Sequence, residues 1–212
     1  MGLSDWFLLA MVCLAGAASP GPSVILLINS VIKDGRKAGV AFGIAHGLGI
    51  FVYSALVASG LIILLSIAPW FSIALEFTGF LFLLWLSISI IKNSFQKVPI
   101  DETGSDPLSA PLFEYFRNGF LIVFLNPKIA AFYLAIFSQF LDAASNLEHK
   151  FLMVATATVI DGLWYILLTF VIAVPKFIKF FKLSAKKIEF FLGLVLLFVS
   201  FVLGINIAFT VF

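Results

Sequence analysis

The sequence has few charged residues and a single cysteine, and these two shortages exclude several classes of protein. Charged side chains make up 11% of the 212 residues, against 62% hydrophobic ones, and the mean hydropathy is +1.16. A soluble domain carries about a quarter charged residues, so this chain could not cover a water-facing exterior. Cys13 alone can form neither an intramolecular disulfide nor a two-thiol redox relay. The net charge of +2 gives no basis for binding nucleic acid.

The first six residues also lack a positive charge. Met1–Trp6 contains Asp5 and no Lys or Arg, although Ala15-Gly16-Ala17 resembles the cleavage site of a signal peptide. A secretory signal peptide begins with a basic segment. We therefore expect the first apolar segment to stay in the protein as a helix.

Long apolar segments dominate the rest of the chain, and a membrane-spanning helix needs about 20 such residues. The qualifying segments are Trp6–Ile32, Ala38–Leu65, Phe71–Ile91, Phe116–Phe140, Phe151–Val174 and Ile188–Phe209. The polar stretch 92–115 predicts a cytoplasmic linker between one three-helix repeat, residues 1–91, and another, residues 116–212. The predicted fold is thus all-α, a polytopic membrane protein of six transmembrane helices forming one membrane domain.

Basic residues lie on one side of this predicted arrangement. Eleven of the 13 Lys and Arg residues fall in or beside the connections after the first, third and fifth segments. The positive-inside rule places these connections in the cytoplasm and both chain ends outside it. Five of the eleven are lysines between residues 176 and 187. They predict either a helix that binds anionic lipid at the membrane surface or a solvated loop.

The two halves of the chain resemble each other in two places. Ser19-Pro20-Gly21-Pro22 interrupts the first apolar segment, and Asn126-Pro127-Lys128 interrupts the fourth. Downstream, His46-Gly47-Leu48 in the second segment matches Asp161-Gly162-Leu163 in the fifth. Because each half has an odd number of helices, the second half must be inverted in the membrane. Inverted repeats with matching broken helices indicate a transporter and its binding site.

The prolines predict where helices 1 and 4 break. Ser19 before Pro20, and Asn126 before Pro127, are typical of an N-cap followed by the first helical residue. Helix N-termini inside the membrane would bind a carboxylate through their free N–H groups. The alternative is a proline kink without function.

Three of the ionisable side chains inside the predicted spans are candidates for a functional role. Lys128, which costs about 2.5–3.5 kcal/mol in a membrane, either neutralises an anionic substrate group, pairs with Asp161 or extends to the interface. Asp161 would hold a substrate ammonium or accept a proton. His46 is a second candidate for proton coupling, or a histidine bonded to backbone or hydroxyl. The predicted substrate-binding residues are Ser19, Pro20, Gly21, Pro22, Asn126, Pro127, Lys128 and Asp161, and the predicted proton-coupling residues are Asp161 and His46.

These motifs resemble the LysE/RhtB superfamily of bacterial and archaeal amino-acid exporters over essentially the whole chain. The resemblance also rests on Gly35-Arg36-Lys37-Ala38-Gly39, Gly43-Ile44-Ala45, Phe116-Arg117-Asn118-Gly119-Phe120-Leu121 and Ser138-Gln139-Phe140. It implies a plasma-membrane carrier that exports amino acids, driven by the proton-motive force. Two positions depart from the family pattern: Leu48, where members often carry an acidic residue, and Glu76, where many carry a basic one.

Other classes of protein fit the residues less well. An intramembrane enzyme needs a clustered nucleophile and base or a metal set, but His149 falls in an outer loop, away from His46. A metal-ion or other small-ion exporter, the alternative function, would use several carboxylates or thiols, and Asp161, Glu76 and Cys13 are few and scattered. A passive scaffold would not need a buried Lys and Asp. We therefore predict a non-enzymatic exporter of zwitterions that uses protons and needs neither cofactor nor metal.

Small residues recur every four positions in the second segment. Gly39, Gly43 and Gly47 would lie on one face of a helix and allow another helix to approach closely. The stripe predicts either packing within the chain or a homodimer contact.

Overall fold

Residues 2–19, 21–67, 71–95, 110–141 and 145–211 are described by a computed structural model, and every regular element in these ranges is an α-helix. The predicted all-α class is confirmed. The helices are α1 (Leu3–Ala18), α2 (Pro22–Ile67), α3 (Phe71–Asn93), α4 (Leu112–Leu125), α5 (Pro127–Ser138), α6 (Leu147–Ile172) and α7 (Pro175–Val211).

Several of these helices suit a lipid environment. Among the described residues, three segments are long and apolar enough to cross a membrane, Pro22–Leu61, Leu147–Ile172 and Lys186–Ile205. The pair α4 and α5, bent by 60° at their junction, makes a fourth crossing if it counts as one span. Large apolar side chains such as Trp85 and Phe198 are 61% and 62% exposed. Their exposure is costly in water and favourable in lipid.

Helix α2 is too long for one crossing and is broken in the middle. Its 46 residues would extend about 69 Å at 1.5 Å per residue, roughly twice the hydrocarbon thickness of a bilayer. Asp34 (φ −126°, ψ 16°) and Gly35 (φ 73°, ψ −162°) leave the helical conformation. Glycine adopts a positive φ without steric cost. The break separates residues 22–33, here named α2a, from residues 36–67, named α2b, where the sequence predicts the first cytoplasmic connection.

The break in α2 is joined to the start of α4. The Asp34 carboxylate accepts hydrogen bonds from the backbone N–H of Ala110, at 3.0 Å, and from the Tyr115 hydroxyl. These contacts hold the first connection against the end of the predicted central linker. Linker residues 96–109 lie outside the described ranges.

The basic segment after α6 is helical. Helix α7 begins at Pro175 and runs without interruption to Val211, which agrees with the tolerance of proline at a helix start. Of the two predicted forms of this segment, the structure has the helix. Its contact with anionic lipid stays a prediction.

The glycine stripe of α2b packs against α6. A Cβ on Gly43 would lie 3.2 Å from the backbone nitrogen of Ile166, and a Cβ on Gly47 would lie 3.0 Å from the Cα of Gly162. The two backbones approach closely because neither glycine has a side chain. Of the two predicted uses of the stripe, the structure shows packing within the chain.

Gly119→Ala should lower the Tm of the detergent-solubilised protein. Its Cβ would lie 2.4 Å from the carbonyl oxygen of Phe42 on α2, and a helix backbone cannot move aside as a flexible side chain can. Overpacking of this kind costs about 1–3 kcal/mol. Gly60→Ala is the control, since its Cβ meets nothing within 4 Å and alanine favours a helix. Equal Tm values for the two variants would contradict the α2–α4 packing.

Candidate functional site

The first helix break differs from its prediction. Ser19 is the C-cap of α1, with its N–H donating to the Ala15 carbonyl at 3.1 Å, and the next helix begins at Pro22. The prediction of Ser19 as an N-cap before a helix starting at Pro20 is therefore wrong. A residue before proline is driven out of the α region, and both Ser19 and Gly21 precede one. Ser19 is accordingly extended (φ −67°, ψ 120°), and Pro20 lies outside the described residues.

The second break has the predicted form. Asn126 separates α4 from α5 with a non-helical backbone (φ −96°, ψ 103°), and Pro127 is the first residue of α5. The Asn126 side-chain oxygen accepts a hydrogen bond from the backbone N–H of Lys128 at 3.1 Å. This is an N-cap, and it satisfies one of the free donors at the start of α5.

The two breaks contact each other although more than 100 residues separate them. The Lys128 Nζ donates a hydrogen bond to the Ser19 Oγ at 2.9 Å. The Asn126 Nδ2 lies 3.5 Å from the Ser23 Oγ. Ser19, Ser23 and Asn126 are buried, and Lys128 is half-buried. Polar groups of both breaks therefore meet at one place inside the helical bundle.

A buried histidine–carboxylate pair joins α2b to α6. Nδ1 of His46 lies 2.6 Å from Oδ1 of Asp161, and the two residues are 1% and 4% exposed. The Tyr165 ring stacks on the imidazole with centroids 4.0 Å apart. A buried carboxylate needs a hydrogen-bonding partner, and His46 provides it. Within the described residues Nε2 of His46 is buried without a hydrogen-bond partner.

One cavity connects the helix breaks with the His46–Asp161 pair. It measures about 40 Å³, which is room for about three water molecules. Its polar lining includes Ser19, Ser23, His46, Asn126, Lys128 and Asp161. The cavity thus places a lysine ammonium and a helix N-terminus in the same enclosure as a carboxylate–imidazole pair.

Most of the predicted site residues line this cavity. The predicted residues that line it are Ser19, Gly21, His46, Asn126, Lys128 and Asp161. Pro22 is exposed at the start of α2, and Pro127 begins α5. The prolines shape the two breaks, whereas their neighbours supply the polar groups.

Several lining residues were missed by the sequence analysis. Ser23, Phe132, Tyr133 and Tyr165 also face the cavity. Two of them follow a predicted residue by one helical turn, since Phe132 is four residues after Lys128 and Tyr165 four after Asp161. Residues four apart share a helix face, so this spacing is the signal that would have found them.

Broken helices around a polar, membrane-embedded cavity are typical of secondary transporters. The model of the family described as LysE type translocator matches residues 14–207, which contain both breaks and the His46–Asp161 pair. The chain belongs to this family of translocators. The resemblance drawn from the sequence motifs is confirmed.

Curated relatives cover most of the chain. An uncharacterized membrane protein of Escherichia coli strain K12, YahN, is 27% identical over 157 residues, which is 74% of this chain and 70% of the relative. The threonine efflux protein of Salmonella typhi is 22% identical over 89% of this chain and 91% of its own. The leucine efflux protein of Enterobacter sp. strain 638 is 29% identical over 86% and 85%. No solved structure matches the chain significantly.

The His46–Asp161 pair predicts strong coupling between substitutions at the two positions. His46→Phe should destabilise the protein by about 3–5 kcal/mol, because it leaves the Asp161 carboxylate buried without this partner. Adding Asp161→Leu should recover part of the loss, since neither polar group then remains. Denaturation midpoints in detergent measure both effects. Losses that simply add in the double variant would show that the two residues do not interact.

Proposed function

We propose that this translocator is a secondary active exporter of amino acids, or close analogues, that exchanges its substrate for protons across the plasma membrane. The observation that supports it best is the pairing, in one cavity, of a cationic end at Lys128 with an anionic end at Asp161. A zwitterion carries the two complementary charges. Relatives named threonine and leucine efflux proteins support an amino acid as the substrate.

The substrate carboxylate would bind at the start of α5. The first N–H groups of a helix and its dipole attract an anion, and Lys128 adds a full positive charge in the first turn of α5. Its ammonium now donates to Ser19 across the break. A bound carboxylate would accept hydrogen bonds from both side chains and so connect the two broken helices.

The substrate ammonium would bind at Asp161. The Asp161 carboxylate carries a single negative charge. It can bind either a proton or a substrate ammonium, but it cannot balance the charge of both at once. Exchange of one for the other at Asp161 would couple export to proton entry. His46 lines the same cavity, so its imidazole can pass the proton to or from the carboxylate.

We also infer six membrane spans in two inverted repeats. The first repeat would hold α1 with α2a, then α2b, then α3, and the second would hold α4 with α5, then α6, then α7. In this arrangement α1 corresponds to α4, α2b to α6 and α3 to α7. The observed α1–α6 contact then corresponds to the observed α4–α2 contact, and the α2–α6 and α3–α7 contacts each correspond to themselves. Gly47 and Gly162, which occupy matching positions, touch each other. Such a contact is expected on a two-fold axis between repeats.

The repeats would rock against each other to open the cavity to one side and then to the other. Their proposed bounds are residues 1–91 and 116–212, with residues 92–115 as a cytoplasmic linker. The basic connections support an orientation with both chain ends outside the cytoplasm.

Release from proteoliposomes tests this function. Vesicles loaded with an amino-acid mixture would be incubated with and without an imposed pH gradient, and the released amino acids identified by mass spectrometry. We expect gradient-dependent release of one or a few amino acids. Release no faster than from protein-free vesicles would overturn the proposal. Metal ions, the substrates of the alternative exporter, would then be tested in the same assay.

Lys128→Met should lower amino-acid release by about tenfold or more. Loss of a desolvated charged partner typically costs 2–5 kcal/mol, and the substrate carboxylate would lose its counterion. Lys92→Met is the control, since Lys92 is exposed at the end of α3. Equal release rates for the two variants, at equal amounts of folded protein, would remove Lys128 from the site.

Asp161→Asn should abolish the acceleration of release by the pH gradient. An amide keeps the shape of the carboxylate, but it cannot accept a proton at this pH and carries no negative charge to balance an ammonium. Glu76→Gln is the control, because Glu76 is a half-buried carboxylate on α3. Its backbone carbonyl accepts a hydrogen bond from the Gln139 Nε2 at 2.7 Å, and the substitution leaves that carbonyl in place. Gradient-driven release that persists in Asp161→Asn would exclude this carboxylate as the coupling group.

A further inference from the structure

The cavity has an apolar side that the proposed function leaves unused. It is formed by Gly16 and Ala17 of α1 and by Ile129 and Phe132 of α5. The Phe132 ring is buried and lies against Gly16, where an added Cβ would be 2.6 Å from the ring Cζ. The ring therefore rests on the backbone of α1 and forms a defined wall.

This wall lies one helical turn from the proposed carboxylate site. Lys128 and Phe132 share a face of α5 and are separated by a rise of about 6 Å along its axis. That distance is comparable to the length of a small amino acid from its carboxylate to the end of its side chain. With the carboxylate at Lys128, the substrate side chain would point towards Phe132.

In the proposed function, the charged side chains of the cavity pair with the carboxylate and ammonium of the substrate or carry the proton, so none is left for a charged substrate side chain. Apart from the tyrosines, the ionisable residues among those lining it are His46, Lys128 and Asp161. The proposed function assigns them to the carboxylate, the ammonium and the proton. A charged substrate side chain would be left buried without a counterion, which is costly. A large one would collide with the Phe132 ring, which is held against the backbone of α1 at Gly16.

We propose that Phe132, supported by Gly16, forms the side-chain subsite and restricts transport to amino acids with small uncharged side chains. This inference rests on the proposed function, because it assumes that an amino acid binds in the cavity. Phe132 is thus a specificity-determining residue, and its bulk sets the upper size of the substrate.

A substrate panel in proteoliposomes tests the inference. Release of alanine, threonine, leucine, phenylalanine, lysine and glutamate would be compared in the wild type, Phe132→Ala and the smaller change Phe132→Leu. We expect the wild type to prefer alanine and threonine over phenylalanine, lysine and glutamate by tenfold or more. Phe132→Ala should raise the phenylalanine-to-alanine ratio about tenfold, and Phe132→Leu should raise it less. Both variants should still exclude lysine and glutamate.

Phe137→Leu is the matched control. Phe137 is fully buried on the same helix and is not among the residues that line the cavity, so its truncation should lower the Tm without altering the ratio. An unchanged ratio in both Phe132 variants, with alanine release intact, would overturn this inference alone. A wild type that prefers phenylalanine or lysine would do the same. Absence of any amino-acid release from the wild type would instead overturn the proposed function, and this inference with it.

Discussion

Lipid offers no hydrogen bonds, so a helix interrupted inside a membrane must satisfy its free N–H and C=O groups within the protein. In this chain the Asn126 side chain satisfies one such N–H group at the second break, and polar side chains of the two breaks bond to each other. Asn126 caps α5 and approaches Ser23, while Lys128 reaches across to Ser19. The breaks thereby stabilise each other. A ligand that competed for these hydrogen bonds would act directly on the contact between the two breaks.

The same two glycines allow α2b to approach α6 closely and His46 to contact Asp161. Gly47 and Gly162 touch, and each follows a member of the pair, His46 or Asp161. Without Cβ atoms at the contact, the two backbones come near enough for the imidazole and the carboxylate to lie 2.6 Å apart. A larger residue at either glycine would separate the helices and lengthen that hydrogen bond. Packing and electrostatics are therefore specified by one matched dipeptide in each half.

The sequence predicts this molecule best where the physics is local. Apolar segments identify the helices, and Asn-Pro at residues 126–127 identifies the capped start of α5. Prediction failed at Ser19, because the second proline, Pro22, moved the helix start beyond the first. The pairing of His46 with Asp161 was also not expected, although their matching positions were seen. Which side chains meet across a bundle depends on helix rotation, and hydropathy does not specify this. Phe132 and Tyr165 were missed because they look like ordinary apolar packing.

The contact of His46 with Asp161 adds a condition to the proposed exchange. A substrate ammonium that approaches Asp161 would compete with the imidazole, whose Nδ1 lies 2.6 Å from the carboxylate. A protonated imidazole would repel the ammonium, because like charges at this distance disfavour each other. Release of the imidazole proton would relieve that repulsion and leave one positive charge against one carboxylate. Because both residues are buried, charge balance would then favour one proton exchanged for each substrate molecule.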